Sequence, residues 1–248
     1  MNTLYLKELD LTNIFKSIQK DVPLDLVNTL QVITVSSCGQ TLESLGLSNN
    51  FFGDHTLEVI IQRILPNMKL KYIDLSANKL TDAGLFMFFN LFVNKNTDLK
   101  GFKINYNKIT QIETAKIITE AVMSCPLLEH MSFRKCGLSY TLFKEMLTPS
   151  NGNGFIRSQH RYLDLCMNKI SNEGLTLLKQ YIAGTMFGKS QLRHLSLYDN
   201  ELAGDTALGD IKELFIVLRN LEFINLDGNL FYKIDMMALK RHVSNKIN

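Results

Sequence analysis

One line of sequence recurs through this chain. Leu70-Lys71-Tyr72-Ile73-Asp74-Leu75-Ser76-Ala77-Asn78-Lys79-Leu80 reads L-x-x-L-x-L-x-x-N-x-L, and the pattern starts again at Leu42, Leu99, Leu128, His160, Leu192 and Leu221. Successive starts lie 28, 29, 29, 32, 32 and 29 residues apart. A unit of that length cannot bury its own apolar face, so neighbouring units must stack and share one core. The repeat therefore dictates the fold. It also moves the question of function from catalysis towards binding.

Each position in the line has a physical task. Side chains alternate between the faces of a strand, so Ile73 and Leu75, like Leu195 and Leu197, are expected to point inward. The Asn position (Asn50, Asn78, Asn107, Asn168, Asn200, Asn229) falls where the chain leaves the strand. A buried turn leaves backbone groups that need partners, and a side-chain amide offers both donors and an acceptor. Stacked amides are expected to form a ladder, with Cys136 as a structural substitute in the fourth line. Between the strands, Leu175, Leu178, Tyr181 and Ile182 share one helical face, as do Leu85, Phe88, Phe89 and Phe92. Asp82, Asn172 and Asp205 stand where helix N-caps are wanted.

This line is the leucine-rich repeat signature. The segments Leu80-Thr81-Asp82-Ala83-Gly84-Leu85 and Ile170-Ser171-Asn172-Glu173-Gly174-Leu175, with the 28–29-residue spacing, resemble the ribonuclease-inhibitor-like class over residues 42–248. That resemblance implies an α/β leucine-rich repeat solenoid: a curved horseshoe with parallel strands on the concave face and helices on the convex face. It also implies a protein-binding role. Seven strands are expected. Residues 1–41 read as an N-terminal cap with one or two irregular strands and a short helix, 42–231 as seven repeats, and 232–248 as a C-terminal capping helix near Ile234–Val243. Within the cap, Leu6, Leu9, Leu11 and Ile14 form a degenerate version of the line, while Leu30, Ile33, Val35 and Cys38 also fit a strand template.

Several function classes lose support. A net charge of +3 with interspersed signs is no footprint for nucleic acid. The run Leu85–Val93 is too short to span a bilayer, and the N-terminus lacks a secretory apolar region. Four cysteines without paired spacing suit a reducing compartment, so a cytoplasmic location is expected, the host cytosol if the chain is a delivered effector. The motifs of nucleotide binding, zinc hydrolases and serine hydrolases are missing. No cofactor and no metal are expected. His160 reads as a partly buried spacer. Cys166 is expected to face outward, which makes a Cys–His pair with His194 conceivable.

The residues between the inward positions form three outward columns. The first runs Ser44, Tyr72, Gly101, His130, Tyr162, His194, Phe223. The second runs Gly46, Asp74, Lys103, Ser132, Asp164, Ser196, Asn225, and the third Ser48, Ser76, Asn105, Arg134, Cys166, Tyr198, Asp227. Aromatic and arginine side chains are the usual anchors of interfaces. The candidate protein-binding residues are therefore Tyr72, Asp74, Lys103, Tyr106, His130, Arg134, Lys135, Tyr162, Asp164, His194, Tyr198 and Phe223. Charge is sorted as well: Lys100, Lys103, Arg134 and Lys135 precede Asp164, Asp199 and Asp227. The two longest repeats add edge-loop candidates, Phe155, Ile156, Met186 and Phe187, which either bind or fold back onto the helix layer. The expected function is a non-enzymatic recognition module acting as scaffold, inhibitor or masking protein, monomeric, with another protein as partner. A bacterial effector inside a eukaryotic cell fits this reading, and the abundance of Lys over Arg suits an AT-rich genome. The alternatives are a GTPase-activating protein, against which the basic residues of Lys240–Asn248 count, and a Cys-dependent transferase.

Overall fold

Each of the seven pattern starts is followed, two residues on, by a three-residue strand: β2 Ser44–Gly46, β3 Tyr72–Asp74, β4 Gly101–Lys103, β5 His130–Ser132, β6 Tyr162–Asp164, β7 His194–Ser196 and β8 Phe223–Asn225. These come from a computed structural model that describes residues 5–14, 24–148 and 154–239. An eighth strand, β1 Glu8–Asp10, precedes them, one more than the seven expected. It lies inside the degenerate line Leu6-Leu9-Leu11 and pairs in parallel with β2, Leu9 opposite Leu45.

The chain divides into two units, Met1–Cys136 and Gly137–Asn248. In the first, β1 to β5 pair in sequence order, all parallel. In the second, β6, β7 and β8 do the same. Helices α1 Leu24–Val35, α2 Ser37–Thr41, α3 Asp54–Val59, α4 Asp82–Met87 and α5 Ile112–Met123 connect the strands of the first unit. Helices α6 Tyr140–Leu147, α7 Asn172–Met186 and α8 Gly204–Val217 belong to the second. Residues 233–239 are helical, and the rest of the expected C-terminal cap lies outside the described residues.

Segment 30–35 is helix, which overturns its strand reading. Leu26, Val27, Leu30 and Thr34 are buried while Val32 and Val35 are exposed, a helical rather than an alternating pattern. Two further helices change winding midway. After α3 the chain makes a π turn, Ile60–Ile64, and after α4 another, Phe88–Phe92. Their buried residues come in adjacent pairs, Ile60/Ile61 with Ile64/Leu65, and Phe88/Phe89 with Phe92/Val93. The wider winding keeps both members of each pair on the inner face. Phe92, Phe88, Phe89, Phe102 and Phe133 then pack ring to ring through the first unit, with centroids 5.1 to 5.6 Å apart.

The amide ladder is present in both units. The Leu47 carbonyl accepts from the amides of Asn50 and Asn78 (both 3.0 Å), and Leu75 from those of Asn78 and Asn107 (both 3.0 Å). Leu165 accepts from Asn168 and Asn200, and Leu197 from Asn200 and Asn229. One carbonyl thus takes one donor from its own rung and one from the next. At Cys136 a thiol does the same job towards Ile104, at 3.3 Å.

The residues expected to cap helices do something else. Thr81 is the N-cap of α4, its hydroxyl accepting from Ala83 N–H. Asp82 instead accepts from Thr110 N–H, the Thr110 hydroxyl and Gln111 N–H in the following repeat. Burial pushes the Asp82 carboxyl up, but these hydrogen bonds outweigh it and hold its pKa below the usual value. Asp54 accepts likewise from Thr81, and Asn172 exchanges hydrogen bonds with Ala203. Asp205 is exposed in the first turn of α8, whose N-cap Ala203 has no side-chain cap. Helix starts are therefore joined from one repeat to the next by side chains.

Two outcomes follow for stability. Asn78→Ala removes hydrogen bonds to Leu47, Leu75 and Ser76 carbonyls together with the one accepted from Asn50 N–H. Stranding buried polar groups of this kind should cost about 3 kcal/mol in a urea titration, whereas Lys79→Ala on the exposed neighbour should be near neutral. An undiminished midpoint for Asn78→Ala would show that the ladder does not hold the turns.

The second concerns His160, fully buried where the other six lines have Leu. Its Nδ1 accepts from Arg157 N–H at 3.0 Å, so the neutral ring carries its proton on Nε2, which has no partner among the described residues. Burial, with the Arg157 charge adding to it, pushes its pKa from 6.5 down to about 3. The unfolded chain therefore takes up a proton near pH 6.5 that the folded chain refuses. Stability present above that pH is lost as pH falls towards 3, roughly 2 kcal/mol by pH 5. Urea titrations at pH 7 and 5 should show this loss, and His160→Leu should remove it. Equal pH dependence in the two proteins would refute the assignment.

Candidate functional site

The strand registers place the candidate residues. In the first unit the partners across the sheet run Ser44, Tyr72, Gly101, His130 in one column and Gly46, Asp74, Lys103, Ser132 in the next, as alternation requires. Tyr72 is exposed and its ring lies 5.9 Å from that of His130, tilted by 59°. The strand between them carries Gly101, and a Cβ there would come within 2.9 Å of the Tyr72 ring and 3.0 Å of His130 Cβ. Glycine at this rung is what lets the two rings meet.

Beside that pair, Lys103 Nζ is 3.9 Å from Asp74 Oδ2, and Asp74 Oδ1 accepts from Ser76 N–H at 2.9 Å. Asn105 Oδ1 accepts from the Ser132 hydroxyl (2.7 Å) and from Arg134 N–H (2.8 Å). Tyr106 and Lys135 occupy successive strand exits, both in the left-handed region, with φ of 58° and 52°. The Lys135 ammonium sits 5.6 Å from the centre of the exposed Tyr106 ring, within cation–π reach. The hydroxyl and N–H of Thr12 hold the Asp10 carboxyl below its usual pKa.

In the second unit Tyr162, His194 and Phe223 stand in register. Their rings follow one another at 6.0 and 5.9 Å, each tilted by 38°. Phe223 is exposed, and Tyr162, His194 and Tyr198 are half-buried. Glu222, which the column reading missed, pairs with Arg193 at 2.6 Å and stands 4.0 Å from His194 Nε2. Opposite charges at one strand-entry position in successive repeats are the sequence signal that reveals it.

Several expectations need correction. Asp164 is buried, its Oδ1 accepting from Cys166 N–H at 3.0 Å. Cys166 is buried too, not outward, with Sγ 2.7 Å from the Ser196 hydroxyl. A buried thiol is no nucleophile for a substrate in solution, so the Cys–His pair with His194 loses its basis. Of the edge-loop candidates, Phe155, Ile156 and Met186 are buried. Phe155 packs on Phe143 at 6.3 Å, and the Ile156 carbonyl accepts from the Tyr181 hydroxyl. Only Phe187 stays exposed, with the Arg219 guanidinium 5.6 Å from its ring. The middle of the long loop, residues 149–153, lies outside the described residues.

No group of three or more His, Cys, Asp or Glu side chains among the described residues is placed to hold a metal ion. No described helix is long and apolar enough to cross a membrane.

Comparison with known proteins agrees with this architecture. The Leucine Rich repeat family model matches residues 67–89, the third strand and the start of its helix. Comparison with the curated proteins finds no match. Among solved structures, an internalin C2 from Listeria monocytogenes str. 4b F2365 aligns over 90% of this chain and 86% of that chain, with 16% identity and a TM-score of 0.52. Leiomodin-1 Actin-Binding Site 2 aligns over 52% of this chain and 70% of that chain, with 18% identity and a TM-score of 0.41. The chain has an α/β leucine-rich repeat fold.

Burial makes a chemical outcome of the site testable. Cys125, Cys136 and Cys166 are free and buried, and burial pushes the Cys125 thiol up to about 11. A maleimide added to the native protein should leave all three unlabelled, and denaturant should expose them. Labelling of native Cys166, located by peptide mass, would restore the outward reading.

Proposed function

We propose that this chain is a protein-recognition module that works without catalysis, its contact surface being the outward side chains of the parallel strands. The observation that carries this reading is the set of large rings held side by side on the strands: Tyr72 against His130, and Tyr162, His194 and Phe223 in a row. Rings in register offer area with few rotamers to freeze. The repeat length with full helices supports the ribonuclease-inhibitor-like subclass. A cytoplasmic, monomeric scaffold, inhibitor or masking protein, including an effector delivered into a eukaryotic cell, is the form of the function that the charge, cysteine and repeat patterns favour.

The test is affinity capture from eukaryotic cytosol with the full chain and two variants. Tyr72→Ala combined with Phe223→Ala removes two exposed rings and should weaken the recovered complex by about 2 kcal/mol or more while leaving stability nearly unchanged. Lys116→Ala, exposed on α5, should change nothing. Wild-type affinity in the double variant, with loss in Phe187→Ala, would move the site to the repeat edge and sink this reading.

A further inference from the structure

The outward side of β6, β7 and β8 is chemically polarised. At the strand entries the acid is already matched: Glu222 takes Arg193 at 2.6 Å, beside the His194 ring. At the strand exits it is not. Asp199 and Asp227 are both exposed and are tied together by Asp199 N–H donating to the Asp227 carbonyl at 2.9 Å. Neither forms an ion pair among the described residues, and Glu201 beyond them is exposed as well. Next to Asp199 in the chain stands Tyr198, half-buried, its ring 3.1 Å from where a Cβ on Gly228, the residue after Asp227, would stand. Gly228, with a φ of 75°, lets that ring settle against the chain. At the entry end of the same strands stand the Tyr162, His194 and Phe223 rings, Phe223 at 51% exposure.

From this juxtaposition we propose that the outward strip of β6–β8 receives an arginine-bearing basic segment of a partner protein, the guanidinium groups lying against Tyr198 and Phe223 and pairing with Asp199 and Asp227. The proposal rests on the recognition reading above and gives it a partner chemistry. Charge complementarity selects the occupant. Exposed carboxylates repel phosphate, so a nucleic acid is disfavoured here. Rings flanked by acids suit a cation, since the ring face attracts positive charge and the carboxylate pairs with it. Arginine fits better than lysine, because a planar guanidinium stacks on a ring and donates to a carboxylate through two parallel N–H groups at once. Each half of that combination occurs separately within the chain: the Arg219 guanidinium lies 5.6 Å from the Phe187 ring, and Arg193 pairs with Glu222 at 2.6 Å.

The experiment uses the full chain and fluorescently labelled Gly/Ser peptides of equal length carrying arginine, lysine, glutamate or no charge. The arginine peptide should bind, the lysine peptide more weakly, and the other two not at all. Added salt should weaken binding, as expected for exposed charges. Asp199→Asn combined with Asp227→Asn, and separately Phe223→Ala, should each reduce arginine-peptide affinity about tenfold or more. The Asn pair keeps size and shape, so it carries the test if Phe223→Ala lowers the melting temperature. An arginine peptide that binds no better than the uncharged one overturns the proposal, as does binding that both variants leave intact. Capture of a cytosolic partner that depends on Tyr72 and Phe223 but survives the Asn pair also overturns it, while leaving the recognition reading standing. Capture insensitive to the rings, together with no peptide binding, removes both.

Discussion

Everything in this structure depends on how the chain leaves each strand. Three-residue strands supply few ladder hydrogen bonds, and the turn that follows points its carbonyls into the protein. The amide at the Asn position closes that deficit twice, once for its own turn and once for the rung before it, as Asn78 does for Leu75 and Leu47. The residue just before it sits in the left-handed region: Asn49, Ala77, Tyr106 and Lys135 in the first unit, Met167, Asp199 and Gly228 in the second. Only one of these is glycine. A left-handed conformation costs an ordinary residue roughly 1–2 kcal/mol, so the rungs without glycine there store strain that the amide hydrogen bonds must exceed. That tie between rungs is why the repeats hold together although no single one could fold.

The same turn delivers the candidate interface. Left-handed backbone at the strand exit turns the side chain there out towards solvent, which is how Tyr106 and Lys135 come to lie one over the other. Asp199 occupies the same position in the second unit, joined by a backbone hydrogen bond to the rung of Asp227. Positions that the fold needs for geometry alone are filled with an aromatic, a cation and an acid. Parallel strands about 4.8 Å apart then line these groups up in columns. Exposed aromatic and charged groups thus stand on left-handed positions whose cost the amide ladder offsets.

Much of this was legible in the sequence. A period of 28–32 residues with an inward Leu every second strand position located seven strands, and alternation ordered the columns in the register found within each unit. What alternation does not reveal is depth. Cys166 and Asp164 hold outward positions, yet both are buried, Asp164 Oδ1 accepting from Cys166 N–H and the Cys166 thiol lying against the Ser196 hydroxyl. Phe155 and Ile156 were ambiguous for the opposite reason: a long loop can present apolar residues or fold them in, and the Tyr181 hydroxyl on the Gly154 and Ile156 carbonyls draws this one in. Strand β1 falls in the degenerate line Leu6-Leu9-Leu11, where Ile14 stands in the Asn position. Its N–H donates to Asn50 Oδ1 at 2.9 Å, so the first rung uses the amide of the second.

The helix side shows why single-element rules misplace residues in a repeat. Asp82 and Asn172 are residue types that favour N-caps, but they stand at the first helical position, one past the N-caps Thr81 and Ser171. In a stack, the start of the neighbouring helix lies one rung away and offers equally unsatisfied N–H groups. The acid reaches across to these: Asp54 to Thr81, Asp82 to Thr110 and Gln111. A hydrogen bond within one helix would stabilise that helix alone. The same bond made to the next repeat stabilises the contact between them, and that contact is the term on which a stacked array depends. On the strand side the amides follow the same logic. Both edges of the repeat are therefore built to favour adjacency over local closure, which leaves the outward strand face between them free of that task.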